Sequence, residues 1–140
     1  MADFKVDFLD HVAIRVKDIE VASKWYSNVL GLQRYQFKEW GDFPVFMLSG
    51  KTGIALFPAN EKDPPNLSTS KNVKIDHFAF QVSADNFNKA IAKYEELNLD
   101  YDVQDHFYFH SVYTKDPDGH IVELTTLIKS EKEFYGKSNL

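Results

Sequence analysis

Hydrophobic and polar residues alternate in two short stretches of the chain, and the two stretches have nearly the same sequence. Residues 10–14 read DHVAI and residues 76–80 read DHFAF. A period of two residues is typical of a β-strand that packs one face against a core. In both copies the alternation puts the histidine, His11 or His77, on the face opposite the larger apolar side chains. We therefore predict two strands that each present an imidazole away from the helix-covered core.

A helical pattern follows each of these strands. After the first strand, Asp18 is suited to cap a helix N-terminus and Gly31 is suited to end the helix in the left-handed conformation. After the second strand, apolar residues recur at helical spacing from about Ala84 to Leu97, and Asn98 is the predicted C-cap. We expect each helix to cover one face of a sheet.

Three further short strands are predicted after each helix, separated by turns that contain glycine or proline. They cover residues 34–39, 45–49 and 54–57 in the first half and residues 101–104, 107–114 and 120–126 in the second half. The order strand, helix and three strands therefore occurs twice. An internal repeat of this kind is stronger evidence for the fold class than any single predicted element.

The repeat predicts an α+β fold in which residues 1–140 form a single domain of two βαβββ modules. The modules cover residues 8–57 and 74–127, a linker rich in proline, asparagine and serine covers 58–73, and a polar tail or short helix covers 128–140. A helix covers one face of each open, mostly antiparallel sheet and leaves the other face bare. We predict that the two bare faces form a cleft that receives both histidines.

Composition narrows the function classes. The net charge is −5 and no lysine or arginine cluster is present, so nucleic-acid binding is not expected. No apolar run approaches the ~18 residues of a membrane span, and the N-terminus lacks the apolar region of a secretory signal, so a cytoplasmic protein is expected. The sequence contains no cysteine. A bound metal would therefore need imidazole and carboxylate ligands.

A carboxylate of this kind occurs in the last predicted strand. Glu123 is centred in GHIVELTT, residues 119–126, where a charged side chain is costly unless it is paired or bound to a cation. The bland alternative is a glutamate that faces solvent at a strand edge. A metal bound by two imidazoles would provide the partner that Glu123 requires. The matched histidines of the repeated module favour this metal-site interpretation.

Three segments together resemble the vicinal-oxygen-chelate superfamily, whose members include glyoxalase I, extradiol dioxygenases, methylmalonyl-CoA epimerase, fosfomycin-resistance thiol transferases and bleomycin-binding proteins. The segments are DHVAIRVKDIEVASKWYSNVLGL, IDHFAF and DPDGHIVEL, and the resemblance spans residues 8 to about 127. It implies the paired βαβββ fold and metal ligands on the first and last strands of the modules. Transferred to this chain, the ligands are His11, His77 and Glu123.

Glyoxalase I also has a carboxylate near the end of its first module. Here that strand reads GIALFP, and the equivalent residue is Ala55 or Phe57, depending on the alignment. Neither side chain binds metals. Two histidines and one glutamate with open coordination positions suit a catalytic Zn²⁺ or a non-haem Fe²⁺, and Mn²⁺ and Ni²⁺ remain candidates.

Further residues are candidates for substrate contacts. Tyr113 matches a tyrosine that the resemblance places near the substrate in both dioxygenases and fosfomycin-resistance enzymes. Arg15 and Gln81 lie four residues after the two histidines, on the same predicted face, and Phe57 is an aromatic candidate for the pocket wall. A surface arginine and a core phenylalanine are the bland alternatives. In a regular strand, His106 and His110 would both point away from Tyr113 as surface or rim residues, whereas a β-bulge would reverse which face they present.

These observations predict a metal-dependent enzyme whose small substrate chelates the metal through vicinal oxygens, either a ring-cleaving dioxygenase or a glyoxalase-like lyase or isomerase. One alternative is a drug-binding protein of the bleomycin-resistance kind, without turnover. Another is a fosfomycin-type thiol transferase, which Ala13 and the lack of an arginine beyond Glu123 disfavour. A homodimer is expected because open sheets expose edges that a second copy could cover.

Overall fold

The computed structural model describes residues 2–136, and the chain divides into two compact units, Met1–Pro65 and Asn66–Leu140. Each unit contains one βαβββ module. The break lies inside the predicted linker 58–73, although Pro58 itself still belongs to a strand. Residues 137–140 of the predicted tail lie outside the described residues.

The first unit contains an open four-stranded sheet and one helix. Its elements are β1 (His11–Val16), α1 (Ile19–Leu30), β2 (Gln33–Tyr35), β3 (Val45–Ser49) and β4 (Thr52–Pro58). The strand order is β1-β4-β3-β2. β1 is parallel to β4, and the other neighbouring pairs are antiparallel.

Helix α1 has the ends that its sequence predicts. The Asp18 side chain accepts hydrogen bonds from the backbone N–H groups of Glu20 and Val21, at 2.9 and 3.1 Å. Gly31 has φ 68°, the left-handed conformation that glycine adopts without steric cost. Buried residues of α1 and of alternate strand positions form the core of this unit, among them Val16, Ala22, Tyr26, Val45, Met47, Ile54 and Leu56.

The second unit repeats this arrangement and adds a short helix. Its elements are β5 (Phe78–Gln81), α2 (Ala84–Glu96), β6 (Asp102–Asp105), β7 (Phe109–Lys115), β8 (Ile121–Leu127) and α3 (Glu131–Tyr135). The strand order is β5-β8-β7-β6, with β5 parallel to β8 and the other pairs antiparallel. The predicted α+β class with two open-sheet modules is therefore confirmed.

Two local predictions differ from the structure, and a third was left open between a tail and a helix. Residues 34–39 do not form one strand, because β2 ends at Tyr35 and Lys38–Trp40 form a single 3₁₀ turn. The C-cap of α2 is Leu97, and Asn98 follows it in the left-handed conformation with φ 54°. Part of the predicted tail 128–140 is helical, since Ser130 and Glu133 form a capping box that begins α3.

The faces of β1 follow the predicted alternation. Ile14 and Val16 are buried, whereas His11 and Arg15 stay exposed on the other face. No helix within residues 2–136 is both long enough and apolar enough to cross a bilayer.

Candidate functional site

The imidazole of His77 and the carboxylate of Glu123 meet on the bare face of the second sheet. His77 Nε2 lies 2.8 Å from Glu123 Oε1. The Glu123 side chain is only 6% exposed and the His77 side chain 35% exposed. Two of the predicted metal ligands are thus brought together, with the carboxylate buried and the imidazole open to solvent on one side.

Strand pairing accounts for this meeting. β5 and β8 are parallel with Ala79 opposite Glu123, and His77 directly precedes β5. On the other side of β8, the antiparallel register places Tyr113 of β7 opposite Glu123. Because side chains on neighbouring strands at paired positions point to the same face, the three functional candidates of this module share one surface.

Each potential ligand is oriented by a hydrogen bond to a further polar group. His77 Nδ1 is 2.7 Å from the Asp76 carboxylate, and this hydrogen bond lowers the pKa of Asp76. The buried Ser111 hydroxyl donates to Glu123 Oε2 at 2.5 Å. A carboxylate behind a histidine and a hydroxyl behind a glutamate are the supports that orient metal ligands in proteins.

The phenol of Tyr113 lies beside this pair. Its ring packs edge-on against the His77 imidazole, with centroids 5.7 Å apart. Burial raises the pKa of the Tyr113 phenol, and the negative charge of Glu123 raises it further. Tyr113 therefore stays protonated at neutral pH and is able to donate a hydrogen bond.

His106 contacts Tyr113, and the expectation that it points away is wrong. His106 Nε2 lies 3.0 Å from the Tyr113 hydroxyl. The expectation treated both residues as members of one strand, but β6 ends at Asp105 and a hairpin separates them. In the β6–β7 pairing Asp102 faces Tyr113, so even-numbered residues of β6 share a face with odd-numbered residues of β7. His110 does lie on the other face, paired with Asp105.

In the first unit, His11 is oriented by the preceding aspartate, as His77 is in the second. Its Nδ1 is 2.7 Å from the carboxylate of the preceding residue, Asp10. Its ring packs against Phe46, with centroids 4.9 Å apart, and Phe46 in turn packs against Trp40 at 5.3 Å. His11 is therefore an oriented imidazole beside an aromatic surface.

The strand registers decide which residue of the first module corresponds to Glu123. Ala55 pairs with Ala13 of β1 and with Phe46 of β3, as Glu123 pairs with Ala79 and Tyr113. Ala55 is thus the equivalent of Glu123, and Phe57 is not. The first module contributes no carboxylate at this position.

Arg15 and Phe57 are brought together on the bare face of the first sheet. They are opposite each other in the β1–β4 pairing, and the guanidinium carbon lies 5.4 Å from the ring centroid. Arg15 Nη1 also donates to the Pro58 carbonyl at 2.9 Å. Such a contact holds the arginine in a defined orientation on the face that carries His11.

Gln81 lies on the bare face of the second sheet and is engaged by α3. Its side-chain amide donates to the Tyr135 hydroxyl at 3.0 Å, and Phe134 packs against Phe109 with centroids 5.4 Å apart. Gln81 and Phe109 are at the end of the sheet near Leu127. Sequence reasoning gave the segment after β8 no role, although its S-x-x-E capping signature marks a helix start.

The arrangement of His77 and Glu123 fits a divalent cation. His77 Nε2 and Glu123 Oε1 lie 2.8 Å apart, each side chain is oriented by a further hydrogen bond, and the carboxylate is buried where an unpaired charge would be costly. Within residues 2–136, no three histidine, aspartate or glutamate side chains are grouped around a common point. The second module thus brings together two candidate ligands.

Comparison with known proteins identifies the family. The sequence profile of the Glyoxalase/Bleomycin resistance protein/Dioxygenase superfamily matches residues 8–124. Metallothiol transferase FosB of Lysinibacillus sphaericus (strain C3-41) is 28% identical over 96% of this chain and 94% of that protein. Metallothiol transferase FosB of Staphylococcus epidermidis is 26% identical, with coverages of 96% and 93%.

The fold similarity to solved structures agrees with this match. A glyoxalase/dioxygenase from Nostoc punctiforme superimposes with a TM-score of 0.77 at 20% identity, covering 92% of this chain and 97% of that chain. At this identity the likeness concerns the fold alone. Since the family profile covers nearly the whole chain, this protein belongs to the Glyoxalase/Bleomycin resistance protein/Dioxygenase superfamily, as its sequence motifs indicate.

Proposed function

We propose that this chain is a metal-dependent enzyme that acts on a small substrate with two vicinal oxygens. In this proposal His77 and Glu123 of the second module, together with His11 of a first module, bind one divalent cation, which is Fe²⁺, Mn²⁺, Zn²⁺ or Ni²⁺. The observation that carries the proposal is the 2.8 Å approach of His77 Nε2 to the buried Glu123 carboxylate, with both groups oriented by further polar partners.

When bound, the cation would act as a Lewis acid and as a template for the chelating oxygens. The protein's own groups then have distinct tasks. Ser111 and Asp76 hold the ligands in place, and the protonated Tyr113 phenol donates a hydrogen bond to a substrate oxygen. His106 orients that phenol from a distance of 3.0 Å. Arg15, Phe57 and Gln81 are proposed substrate contacts at the periphery.

Ring-cleaving dioxygenation and glyoxalase-like lyase or isomerase chemistry are the two forms of this proposal. A dioxygenase requires a histidine that handles protons near the substrate, and His106 beside Tyr113 meets that requirement. A glyoxalase-like reaction requires a base near the carbon that loses its proton. The structure supports both forms equally, because Tyr113, His106 and Glu123 are within reach of the same surface.

Thiol transfer is the second candidate, and one observation favours it. Two relatives that match over 96% of this chain are named metallothiol transferases. Against it, the first histidine is followed two residues later by Ala13, where fosfomycin-resistance enzymes resemble one another in having threonine, and the lysine-rich segment after β8 offers no arginine. Turnover of an epoxide in the presence of a thiol would establish this alternative.

Metal content provides the direct test. The protein, purified without chelators, is expected to contain close to one equivalent of metal per chain, and His77→Ala or Glu123→Gln is expected to abolish binding. Ser111→Ala removes a supporting hydrogen bond and should weaken metal affinity by about ten- to a hundredfold. His110→Ala is the matched control, since that imidazole lies on the opposite face. Unchanged metal content in the His77 and Glu123 variants would refute the proposed site.

Anaerobic reconstitution with each of the four cations, followed by assays, separates the reaction classes. Catechols with O₂ report dioxygenation, hemithioacetals report glyoxalase-like chemistry, and an epoxide with a thiol reports thiol transfer. Ligand binding that persists unchanged in the metal-free protein, with no turnover in any assay, would instead support the drug-binding alternative.

We also propose a homodimer. The edge strands of the second sheet are β5 and β6, and all four residues of β6 are exposed. Such an edge offers unpaired backbone groups to a second copy. Sedimentation equilibrium of the full chain would detect the dimer, and a monomer at all concentrations would contradict it.

A further inference from the structure

A groove lies next to the candidate site in the second unit. It has a volume of about 660 Å³ and is lined by residues of the α2–β6 loop, β6, β7 and the start of β8. Small-molecule sites in proteins commonly have volumes of about 300–1,000 Å³. The groove is thus large enough for part of a substrate or for a small second ligand.

Tyr113 belongs to both the candidate site and the groove. From Tyr113 the groove extends towards Lys115 and Ile121, which face each other in the β7–β8 pairing. At the opposite end of the same sheet, α3 contacts Gln81 and Phe109. A ligand that binds beside Tyr113 and extends along this sheet therefore has space on the Lys115 side.

Side chains of opposite charge line the groove. Lys115 and Asp100 both line it and are exposed. Among the ion pairs between described residues, neither side chain takes part, whereas Lys89 and Asp85 on α2 pair at 3.0 Å. A second carboxylate, Asp102, also lines the groove and accepts a hydrogen bond from Gln104 at 2.8 Å. An ammonium group and a carboxylate group thus face one groove without a mutual ion pair.

We propose that this groove binds a zwitterionic group of the α-amino acid type. The ligand's carboxylate contacts the Lys115 ammonium, and its ammonium contacts the Asp100 and Asp102 carboxylates. A simple anion would meet the two carboxylates unfavourably, and a simple cation would meet the lysine, so a ligand that carries both charges matches the lining best. Asn98 and Gln104 add side-chain amides that can donate or accept hydrogen bonds.

A ligand bound in the groove would reach Tyr113 and would be a substrate or co-substrate of the proposed enzyme. Only this link to catalysis rests on the proposed function. Binding in the groove itself requires no metal. The two proposals are therefore separable, since loss of the His77 and Glu123 ligands should leave the groove intact.

Amide NMR titration of the metal-free full chain tests the proposal. L-Alanine is the zwitterionic probe, its methyl ester lacks the carboxylate, and N-acetyl-L-alanine lacks the ammonium. We expect L-alanine to shift the side-chain amide signals of Asn98 and Gln104 saturably. Each derivative should bind about tenfold more weakly, as expected for the loss of one charge-assisted contact.

Variants identify the charges responsible. Lys115→Gln and Asp100→Asn should each weaken L-alanine binding by about tenfold. Lys89→Gln, which removes a charge outside the groove, should leave it unchanged. Dispersed amide spectra verify that each variant is folded.

Two outcomes would overturn the groove proposal. One is equal affinity for all three probes or no saturable binding. The other is equal effects of Lys115→Gln and Lys89→Gln. A His77→Ala/Glu123→Gln variant that has lost metal but still binds L-alanine would support both the metal site and the groove. Metal binding by the unaltered chain without any L-alanine binding would refute the groove proposal alone.

Discussion

Glu123 is a charged residue with a solvent exposure of 6%, and its neighbours explain how the strand tolerates it. The carboxylate has two oxygens, of which one meets His77 and the other accepts from Ser111. A buried carboxylate without such partners would destabilise the fold by several kcal/mol. The residue that looks out of place in an apolar strand is thus the one around which the candidate site is organised.

Tyr94 provides the opposite case, because its polar group has no partner. The residue is fully buried, and among residues 2–136 nothing hydrogen-bonds its hydroxyl. Burial raises its pKa from 10.0 to about 12. Since the folded-state pKa is the higher one, the stability associated with the neutral phenol is present below about pH 10 and is lost as the pH rises towards 12.

We therefore expect Tyr94→Phe to maintain the free energy of unfolding at neutral pH or to raise it by about 1 kcal/mol. It should also reduce the loss of stability at alkaline pH. Urea unfolding across the alkaline range measures both effects. Tyr101→Phe is the contrast, because it removes a 2.6 Å hydrogen bond to Glu95. A Tyr94→Phe variant that is clearly less stable at neutral pH would indicate that the hydroxyl has a bound partner, such as water.

At the scale of elements, α3 depends on its cap. The helix has five residues, too few to be stable by itself, and is held by the Ser130–Glu133 capping box and by aromatic contacts of Phe134. Through Tyr135 it also holds Gln81 on the bare face of the second sheet. The order of this helix and the position of a proposed substrate contact are therefore coupled.

Ser130→Ala should release α3 locally, at a cost of about 0.5–2 kcal/mol. We expect faster amide hydrogen exchange in residues 131–135 and in Gln81, with little change in global unfolding. Ser83→Ala, which removes the N-cap of α2, is the matched comparison and should lower global stability because α2 buries Phe87 and Tyr94. Exchange rates unaffected by Ser130→Ala would show that the aromatic contacts hold α3 without the cap.

At the scale of the whole molecule, the two modules share a backbone plan but differ in chemistry. Glu123 and Tyr113 of the second module correspond by strand register to Ala55 and Phe46 of the first. Ser111 precedes Tyr113 by two residues, and the residue two before Phe46 is Pro44, just outside β3. The second module therefore has a polar bare face, and the first has an aromatic one around His11. In the proposed function, the second module would supply two metal ligands and the proton-handling groups, and the first would supply His11 and apolar contacts.

Ala55→Glu tests this division. The new carboxylate would be buried beside Phe46, and Pro44 offers no hydroxyl where Ser111 supports Glu123. We expect the metal-free variant to lose several kcal/mol of unfolding free energy, because the new carboxylate is buried without a partner. Metal should restore part of this loss if the new carboxylate becomes a fourth ligand. Chemical denaturation with and without metal measures both effects, with Ala55→Gln as the uncharged control. Unchanged metal-free stability would contradict the argument.

Local sequence patterns were sufficient to predict the strand faces and the helix ends of this protein. The period-two alternation of β1 and β5 was enough to direct His11 and His77 to the bare faces, and the cap residues Asp18 and Gly31 located α1 correctly. Local patterns are informative here because the face of a strand residue and the end of a helix depend on nearby residues. The repeat and its motifs then gave the family.

Tertiary structure decided which side chains meet. The contacts of Ser111 with Glu123 and of His106 with Tyr113, and the equivalence of Ala55 to Glu123, all depend on the register between strands. Register between separate strands follows from packing and turn geometry, which the pattern of a single strand does not contain. The error over His106 arose for this reason, because even-numbered residues of β6 share a face with odd-numbered residues of β7.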